Sequence, residues 1–477
     1  MIQNLKNQSF FSLSIAIILI LGIYYRIEYY DDGLWSDEWI SFFISTLDIE
    51  ILEKYNLHLQ FEGSSPINLF LNTFLINIFG SSYQSLEKFY ILSGIFLLIF
   101  SLKLFKKNNT KIFYFLLLSL NPFLIFYSGE LRFYTFSVLF SLLSFITFSK
   151  LNDEQSNMRI IVFSAITIIS LMFNIYTISL IISYFIFNYF KKKSKKIYFT
   201  LFVIIIIFFI FNLQYLLTMT FKYHSQFGDV GGNINIKFFI GYFFNIFFGD
   251  KLFGAVNLII FLYSLIHFRK NFFNNNNLFL SYLVIFTTYA MFISYALIVS
   301  DIFFPRHFIF IIPLIIYSIV FFIFDLKHAN LRYLFILFFI FMSFYVNLKS
   351  NKPYMTNKPN PNFVNDKILN SNIKYIYIPV VKNLENLENT NCCNYDELLF
   401  AYSNSFKKDR FILLLNDEYK DHQEFWSICI VNPSFRRLSE LSVIKNCYGR
   451  LNFLEDNFKI TDKFSSSSFE AYLYKKN

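Results

Sequence analysis

Long blocks of aliphatic and aromatic residues alternate with short polar connections over most of the chain. A block such as Phe199 to Leu217 is long enough, at about 1.5 Å per residue, to cross a hydrocarbon core about 30 Å thick. Eleven such segments are predicted to be helices, near residues 10–25, 86–104, 111–127, 132–149, 158–174, 176–190, 197–217, 252–268, 278–299, 306–324 and 330–348. The pattern therefore predicts an α-helical multi-pass membrane protein with about 11 transmembrane helices plus juxtamembrane helices.

The composition agrees with a membrane protein and excludes several other classes. Of the 477 residues, 55% are hydrophobic and 16% are charged, whereas soluble domains average about 45–50% apolar and about 25% charged residues. A soluble enzyme, a nucleic-acid-binding protein and a disordered scaffold are therefore excluded as descriptions of the whole chain. The net charge of +10 is instead explained by membrane topology.

Basic residues fall on alternate connections between the predicted spans, which indicates an orientation. Short basic loops stay on the cytoplasmic side of a membrane. The residues concerned are Lys103, Lys106, Lys107, Lys111, Lys150, Arg159, Lys191, Lys192, Lys193, Lys195, Lys196, Arg269, Lys270, Lys327 and Arg332. The connections between them carry few basic residues, so the N-terminus is predicted to be cytoplasmic, and an odd number of crossings places the C-terminus outside.

The first outward connection, residues 26–85, is long and contains an apolar segment that is shorter than a typical transmembrane helix. This segment runs from Pro66 to Gly80, and Asn68, Asn72 and Asn77 interrupt its apolar residues. An apolar helix of this length with polar interruptions is typical of a helix that lies on the membrane surface. We therefore expect an interfacial helix here.

The composition changes to Asn, Lys, Pro and mixed charge at about Lys349. Residues 1–348 are predicted to form the transmembrane domain, residues 349–365 a linker and residues 366–477 a soluble extracytoplasmic domain. Strand-like runs occur at Lys374–Val381, Arg410–Leu415 and Phe469–Tyr474. A helical pattern near Glu397–Phe406 lies between them, and this alternation favours a small α/β domain.

All four cysteines lie in this C-terminal region, and an outside location permits disulfides. Adjacent cysteines rarely bridge each other, so Cys392 or Cys393 is expected to pair with Cys429 or Cys447. A zinc site is the alternative, but the sequence lacks paired C-x-x-C spacing.

An acidic pair follows the first predicted span, in the stretch WSDEWISFF. Asp37 and Glu38 lie between two tryptophans, and such aromatic residues favour the level of the lipid headgroups. A carboxylate at this boundary is partly desolvated, which raises its basicity and suits it to take a proton from a hydroxyl. The neighbouring Asp31 and Asp32 are interpreted as solvated loop residues.

Two further stretches place charged residues at the outer ends of predicted spans. NPFLIFYSGELRFYTF contains Glu130, Arg132 and Tyr134, and DIFFPRHFIFIIP contains Arg306 and His307. Arginine is a natural bidentate partner for a phosphate. The alternative is that these charges cap helices or snorkel to lipid headgroups.

The order of WSDEW, a Pro-initiated amphipathic segment, NPFLIFYSGELRFYTF and PRHFIFIIP resembles the bacterial C-fold (GT-C) membrane glycosyltransferases. It is most similar to the family of protein O-mannosyltransferases and lipid A aminoarabinose transferases. The resemblance spans residues 10–320, and its most specific part is the segment around Glu130 and Arg132. Three positions depart from the family pattern: Ser65-Pro66 replaces Pro-Pro, no His follows Tyr176, and His307 replaces an aromatic residue.

The resemblance implies an inverting glycosyltransferase of the inner cell membrane, with its C-terminal domain in the periplasm. The implied donor is a polyprenyl phosphate that carries one hexose or pentose, and the acceptor is a membrane lipid or an envelope glycan or protein. Arg132 and Arg306 would stabilise the departing lipid phosphate. Tyr134 and His307 are expected to complete the substrate-binding site.

The resemblance also implies roles for the acidic residues. Asp37 matches the proposed general base, which deprotonates the acceptor hydroxyl. Glu38 and Glu130 would orient the acceptor or a bound cation, and Glu62 would add a further carboxylate. A divalent cation is thus a candidate cofactor for these acids, which are also able to act without one.

Two other functions remain open from the sequence. A flippase for lipid-linked glycans, or another transporter, would be expected to place ionisable residues midway along several spans. Here the spans are nearly free of charge and the acids gather at loop positions on one face. A polysaccharide polymerase is the nearer alternative, but it carries its long outer loop late in the chain.

Overall fold

The computed structural model describes most of the membrane region and parts of the C-terminal region. The described residues are 2–28, 36–61, 65–80, 83–153, 156–192, 194–226, 243–269, 275–298, 305–349, 373, 375–377, 412–414, 418–430, 454, 457–465 and 469–477. By packing, the chain divides into two compact units. One comprises Met1–Tyr30 and Gly63–Met355, and the other comprises Asp31–Glu62 and Thr356–Asn477.

The described chain is predominantly α-helical. In chain order the helices are α1 (Ile2–Glu28), α2 (Ser36–Thr46), α3 (Ile51–Phe61), α4 (Pro66–Phe79), α5 (Tyr83–Ser101), α6 (Asn108–Ser119), α7 (Pro122–Ser128), α8 (Tyr134–Asp153), α9 (Asn157–Phe173), α10 (Ile178–Phe190), α11 (Lys195–Gln226), α12 (Phe243–Phe248), α13 (Lys251–Phe268), α14 (Asn276–Ile298), α15 (Ile312–Asp325) and α16 (Ala329–Leu348). Short 3₁₀ segments, Ile175–Thr177 and Pro305–Ile311, precede α10 and α15.

The predicted multi-pass membrane fold is confirmed, and each of the eleven predicted segments is helical. Eight of them are long and apolar enough to cross a membrane in the described part of the chain. The segment predicted at 111–127 is instead two helices, α6 and α7, bent by 58°. The segments predicted at 158–174 and 176–190 correspond to shorter helices, α9 with 17 residues and α10 with 13.

Hydrogen bonds between side-chain hydroxyls join the helices of the membrane unit. Ser144 Oγ lies 2.8 Å from Thr167 Oγ1 and 3.1 Å from Tyr184 OH, which ties α8 to α9 and α10. Ser179 Oγ lies 2.8 Å from Thr288 Oγ1, which ties α10 to α14. A polar group without a partner is costly inside hydrocarbon, so paired hydroxyls allow the bundle to bury them.

The second unit contains a mixed five-stranded sheet. Its strands are β1 (Tyr375–Tyr377), β2 (Ile412–Leu414), β3 (Glu424–Ile430), β4 (Phe458–Ser465) and β5 (Phe469–Lys476), in the spatial order β2-β1-β3-β5-β4. Strand β1 is parallel to β2 and β3, whereas β5 pairs antiparallel with β3 and β4. Aromatic residues form the core beneath it, namely Tyr377, Tyr419, Phe425, Phe458, Tyr472 and Tyr474 with Leu454.

The C-terminal sheet confirms part of the sequence prediction. Strands β1 and β2 fall within two of the predicted strand runs, and β5 covers the third and extends two residues beyond it, whereas β3 and β4 were not predicted. The predicted helix near Glu397–Phe406 lies outside the described residues. The side chains of all four cysteines do as well, so the disulfide remains a prediction.

Candidate active site

A break at Asn121-Pro122 shapes the first part of the site. Pro122 has no N–H and disfavours helical backbone at the residue before it, so α6 ends at Ser119 and α7 begins at Pro122. The side chain of Asn121 caps the new helix by accepting a hydrogen bond from the N–H of Leu124 at 2.9 Å. Helix α7 ends at Ser128, and the chain then forms the loop of residues 129–133, which we call the 129–133 loop.

The 129–133 loop is held by side chains from other helices. Asn68 Nδ2, from α4, donates to the carbonyl oxygen of Leu131 at 3.3 Å. Tyr90 OH, from α5, lies 2.7 Å from Asn68 Oδ1 and 2.8 Å from Asn72 Oδ1. The segment Pro66 to Gly80 is thus helical as predicted, and two of its asparagines are fully buried supports of this loop.

Glu130 and Arg132, the two charged residues of this loop, are buried. Their exposed fractions are 3% and 6%. The guanidinium carbon of Arg132 lies 5.9 Å from the ring centre of Tyr134, a cation–π distance, and the Tyr134 ring meets Tyr127 edge-on at 4.9 Å. Side chains buried in this way do not snorkel to headgroups, so the burial opposes that alternative for both residues.

The 3₁₀ segment Pro305–Ile311 brings Arg306 and His307 to the site, where Asn174 fixes its backbone. Asn174 Nδ2 donates to the carbonyl oxygen of His307 at 3.1 Å and to Ser137 Oγ at 3.0 Å. Asn174 lies at the junction of α9 and α10, and its Oδ1 accepts a hydrogen bond from the N–H of Tyr176 at 3.0 Å. The Tyr176 ring in turn stacks on the His307 ring at 4.9 Å.

These two segments converge although they are distant in sequence. His307 lies within electrostatic reach of both Arg306 and Arg132. The Pro305–Ile311 segment packs against α8, which starts directly after the 129–133 loop. The packing against α8 and the electrostatic effects on His307 thus place four of the predicted site residues, Arg132, Tyr134, Arg306 and His307, in one region with two guanidinium groups. Such a region suits an anion that has several oxygen acceptors.

The predicted acidic pair of the second unit lies on a helix. Asp37 and Glu38 are in the first turn of α2; Glu38 is fully buried, whereas the side chain of Asp37 lies outside the described residues. Glu38 shares its buried helix face with Ser41 and Ser45, at helical spacing. Glu62 also lies outside the described residues.

Helix α3 carries buried polar residues that the sequence analysis missed. Lys54 Nζ donates to the carbonyl oxygen of Ser45 at 2.9 Å, which caps the end of α2, and His58 is fully buried one turn later. Burial lowers the pKa of Lys54, and the charge of Asp48 opposes this effect. The spacing of Lys54 and His58 by four residues was the only sequence signal that both lie on one helix face.

Within the described residues, no group of three or more His, Cys, Asp or Glu side chains is arranged to bind a metal ion. No protein-family model matches the chain, and no curated protein matches it either.

Solved structures do resemble this fold over its whole length. ArnT from Cupriavidus metallidurans, in the apo state, superposes with a TM-score of 0.58 at 9% identity, covering 98% of each chain. The chain has the GT-C fold. A structure of the same ArnT bound to undecaprenyl phosphate gives a TM-score of 0.54 at 8% identity, over 96% of this chain and 97% of that one. The GT-C fold predicted from the sequence motifs is thereby confirmed.

Proposed function

We propose that the protein is an inverting glycosyltransferase that moves one monosaccharide from a polyprenyl-phosphate donor to an envelope lipid, glycan or protein. One observation supports this proposal: the segment with Arg306 and His307 packs against α8, directly after the loop with Arg132, and both arginines act electrostatically on His307. The resemblance of the fold to ArnT, one structure of which contains undecaprenyl phosphate, supports a lipid phosphate as the ligand.

The basic residues act on the donor phosphate. Arg132 and Arg306 bind its oxygens before the reaction and stabilise the charge that develops on it as the sugar leaves. Tyr134 and the ring of His307 form the wall beside these arginines. A guanidinium held against an aromatic ring is preorganised, so less conformational freedom is lost when the phosphate binds.

The acidic residues act on the acceptor. Asp37 takes the proton from the acceptor hydroxyl while the acceptor oxygen attacks C1 of the sugar from the face opposite the phosphate. The bond between C1 and the phosphate oxygen breaks, its electron pair stays on the lipid phosphate, and the configuration at C1 inverts. Glu38, Glu130 and Glu62 orient the acceptor or a divalent cation.

We also propose that the site faces the periplasm and that the N-terminus is cytoplasmic, since basic residues concentrate on alternate connections and short basic loops stay in the cytoplasm. Within the described membrane spans, Asp, Glu, Lys and Arg stand only within five residues of an end. This distribution favours chemistry at one surface over a transport path through the bilayer centre.

The test compares variants of the purified protein in two assays, transfer of labelled sugar and binding of undecaprenyl phosphate. Asp37→Asn keeps the side-chain size but removes the proton acceptor, so transfer should fall by about 10²–10⁴-fold while lipid binding persists. Arg132→Ala and Arg306→Ala should weaken both, because a phosphate contact acts in the ground state and in the transition state.

Asp31→Asn and Asp32→Asn, a few residues earlier in the sequence, are the matched controls, and both should transfer at the parental rate. If Asp37→Asn transfers sugar like the parent while Glu38→Gln does not, the general base is Glu38 and not Asp37. Full activity in all these variants would reject the proposed glycosyltransferase function. A lipid-flipping assay would then test the alternative, that the protein is a transporter.

A further inference from the structure

The break between α6 and α7 leaves two backbone carbonyls without helical partners. In an unbroken helix the carbonyl oxygens of Ser119 and Leu120 would accept hydrogen bonds from N–H groups four residues later. Here the N–H of Leu124 bonds the side chain of Asn121 instead. A bared carbonyl inside a membrane costs several kcal/mol unless another group satisfies it.

Side chains from the first and the last helix of the bundle satisfy these carbonyls. Arg26 Nη1, from α1, donates to the carbonyl oxygen of Ser119 at 3.1 Å. Asn347 Nδ2, from α16, donates to the carbonyl oxygen of Leu120 at 2.7 Å. The break is therefore tied to two helices that are far from it in sequence.

Small residues make room for Arg26, whose side chain is fully buried. A Cβ atom added at Gly94, on α5, would lie 3.3 Å from Arg26 Nε and 3.2 Å from the Cβ of Ser128. One added at Gly22 would lie 3.1 Å from the Cβ of Ser119. The guanidinium is thus enclosed between α1, α5 and the two halves of the broken helix.

Burial of the charged side chain of Arg26 in this space costs free energy. Among the described residues, its Nε and Nη2 atoms have no hydrogen-bond acceptor, and Nη1 also bonds Gly22 of its own helix. A buried charge that is only partly hydrogen-bonded is commonly no more stable than an apolar side chain of similar volume. A contribution to stability alone does not explain this residue.

We infer that Arg26 and Asn347 are positioning residues, which fix the break so that α7 presents the 129–133 loop, with Glu130 and Arg132, in its active place. This inference rests on the proposed function. Displacement of a reacting group by about 1 Å is able to reduce the rate about 10²-fold, so a small relaxation of the break is enough to matter.

The test combines transfer, binding of undecaprenyl phosphate and thermal unfolding of the detergent-purified protein. Arg26→Met and Asn347→Leu should each lower transfer by about 10- to 100-fold. The unfolding temperature of Arg26→Met should change little, because removal of a partly hydrogen-bonded buried charge offsets the cost of the bared Ser119 carbonyl. Arg26→Lys, which keeps one donor, should recover part of the activity. Asn212→Leu is the matched control, since Asn212 is also buried but, among the described residues, its amide donates to the carbonyl of Phe208 on its own helix.

A double-mutant cycle tests the route of the effect. Because Arg26 acts through the loop that carries Arg132, adding Arg26→Met to Arg132→Ala should reduce transfer much less than it does in the parent. Additive effects would overturn the inference, as would parental transfer in Arg26→Met, or a loss of transfer accompanied by a matching loss of stability. If Arg132→Ala and Arg306→Ala themselves bind and transfer normally, the proposed function is refuted, and this inference falls with it.

Discussion

Asn174 offers the sharpest test of the proposed phosphate site, because it anchors the backbone of His307 and is itself uncharged. Replacement by Asp keeps an oxygen to accept the N–H of Tyr176 but removes both N–H donors of the amide. In the parent, Asn174 Nδ2 lies 3.1 Å from the carbonyl oxygen of His307. In the variant, a carboxylate oxygen faces that carbonyl oxygen instead. The segment with Arg306 and His307 should shift as a result.

The size of the effect follows from the two lost hydrogen bonds. Each donates from a side chain that is 98% buried, at 3.0 and 3.1 Å, and a bond of this kind contributes about 1 kcal/mol net. Of these two bonds only the one to His307 holds the segment. Its loss leaves a buried carbonyl oxygen unsatisfied, which costs about 1–3 kcal/mol, and 1.4 kcal/mol corresponds to tenfold in affinity. The Kd for undecaprenyl phosphate should rise by about 10- to 30-fold.

Calorimetric titration of the detergent-purified variants with undecaprenyl phosphate measures this change. Ser137→Ala is the matched control, because it removes one partner of the amide and leaves the bond to His307 in place; its Kd should rise less than about threefold. A folded Asn174→Asp variant that binds within twofold of the parent would refute the reasoning. An equal loss in Ser137→Ala would show that the bond to His307 is not the cause.

Three further predictions concern stability and topology. Asp250 caps α13 and pairs with Lys349 at 3.1 Å; burial raises its pKa, but hydrogen bonds from Lys349 and from the first turn of α13 outweigh this and lower it. The stability from this pair should thus be complete above about pH 4 and lost as the pH falls through the lowered pKa, and Asp250→Asn should flatten that part of a pH–stability curve. Asn188 is fully buried and neither side-chain polar atom has a hydrogen-bond partner among the described residues, so Asn188→Leu should leave the unfolding temperature unchanged or raise it. Impermeant thiol reagents should label single cysteines placed in 218–236 but not in 191–196, and the reverse result would invert the orientation.

The membrane fold was predictable because apolar length alone specifies a span. The break at Asn121-Pro122 was not, although both residues were visible, since proline is tolerated in membrane helices when other groups satisfy the freed carbonyl. Those groups, Arg26 and Asn347, are separated from the break by long stretches of chain. A polar residue near the end of an apolar segment gives no indication of what it will contact.

The candidate site was predictable in its residue types but not in its supports. Arg132 and Arg306 stood out because charges are rare in this sequence. Asn68 was interpreted as part of the polar face of an interfacial helix, whereas it is buried against the 129–133 loop. Strand β4 was missed although Phe458, Lys459 and Ile460 do alternate between the core and the surface.

The shortness of α9 and α10 has a consequence for the surrounding lipid. At about 1.5 Å per residue their 17 and 13 residues extend only about 26 and 20 Å, less than a hydrocarbon core of about 30 Å. Such hydrophobic mismatch thins the bilayer locally. The two helices meet at Asn174, beside His307, so the thinned zone borders the proposed phosphate site. A headgroup layer drawn inward there would bring the phosphate of the proposed polyprenyl donor to the site while its tail stays in hydrocarbon.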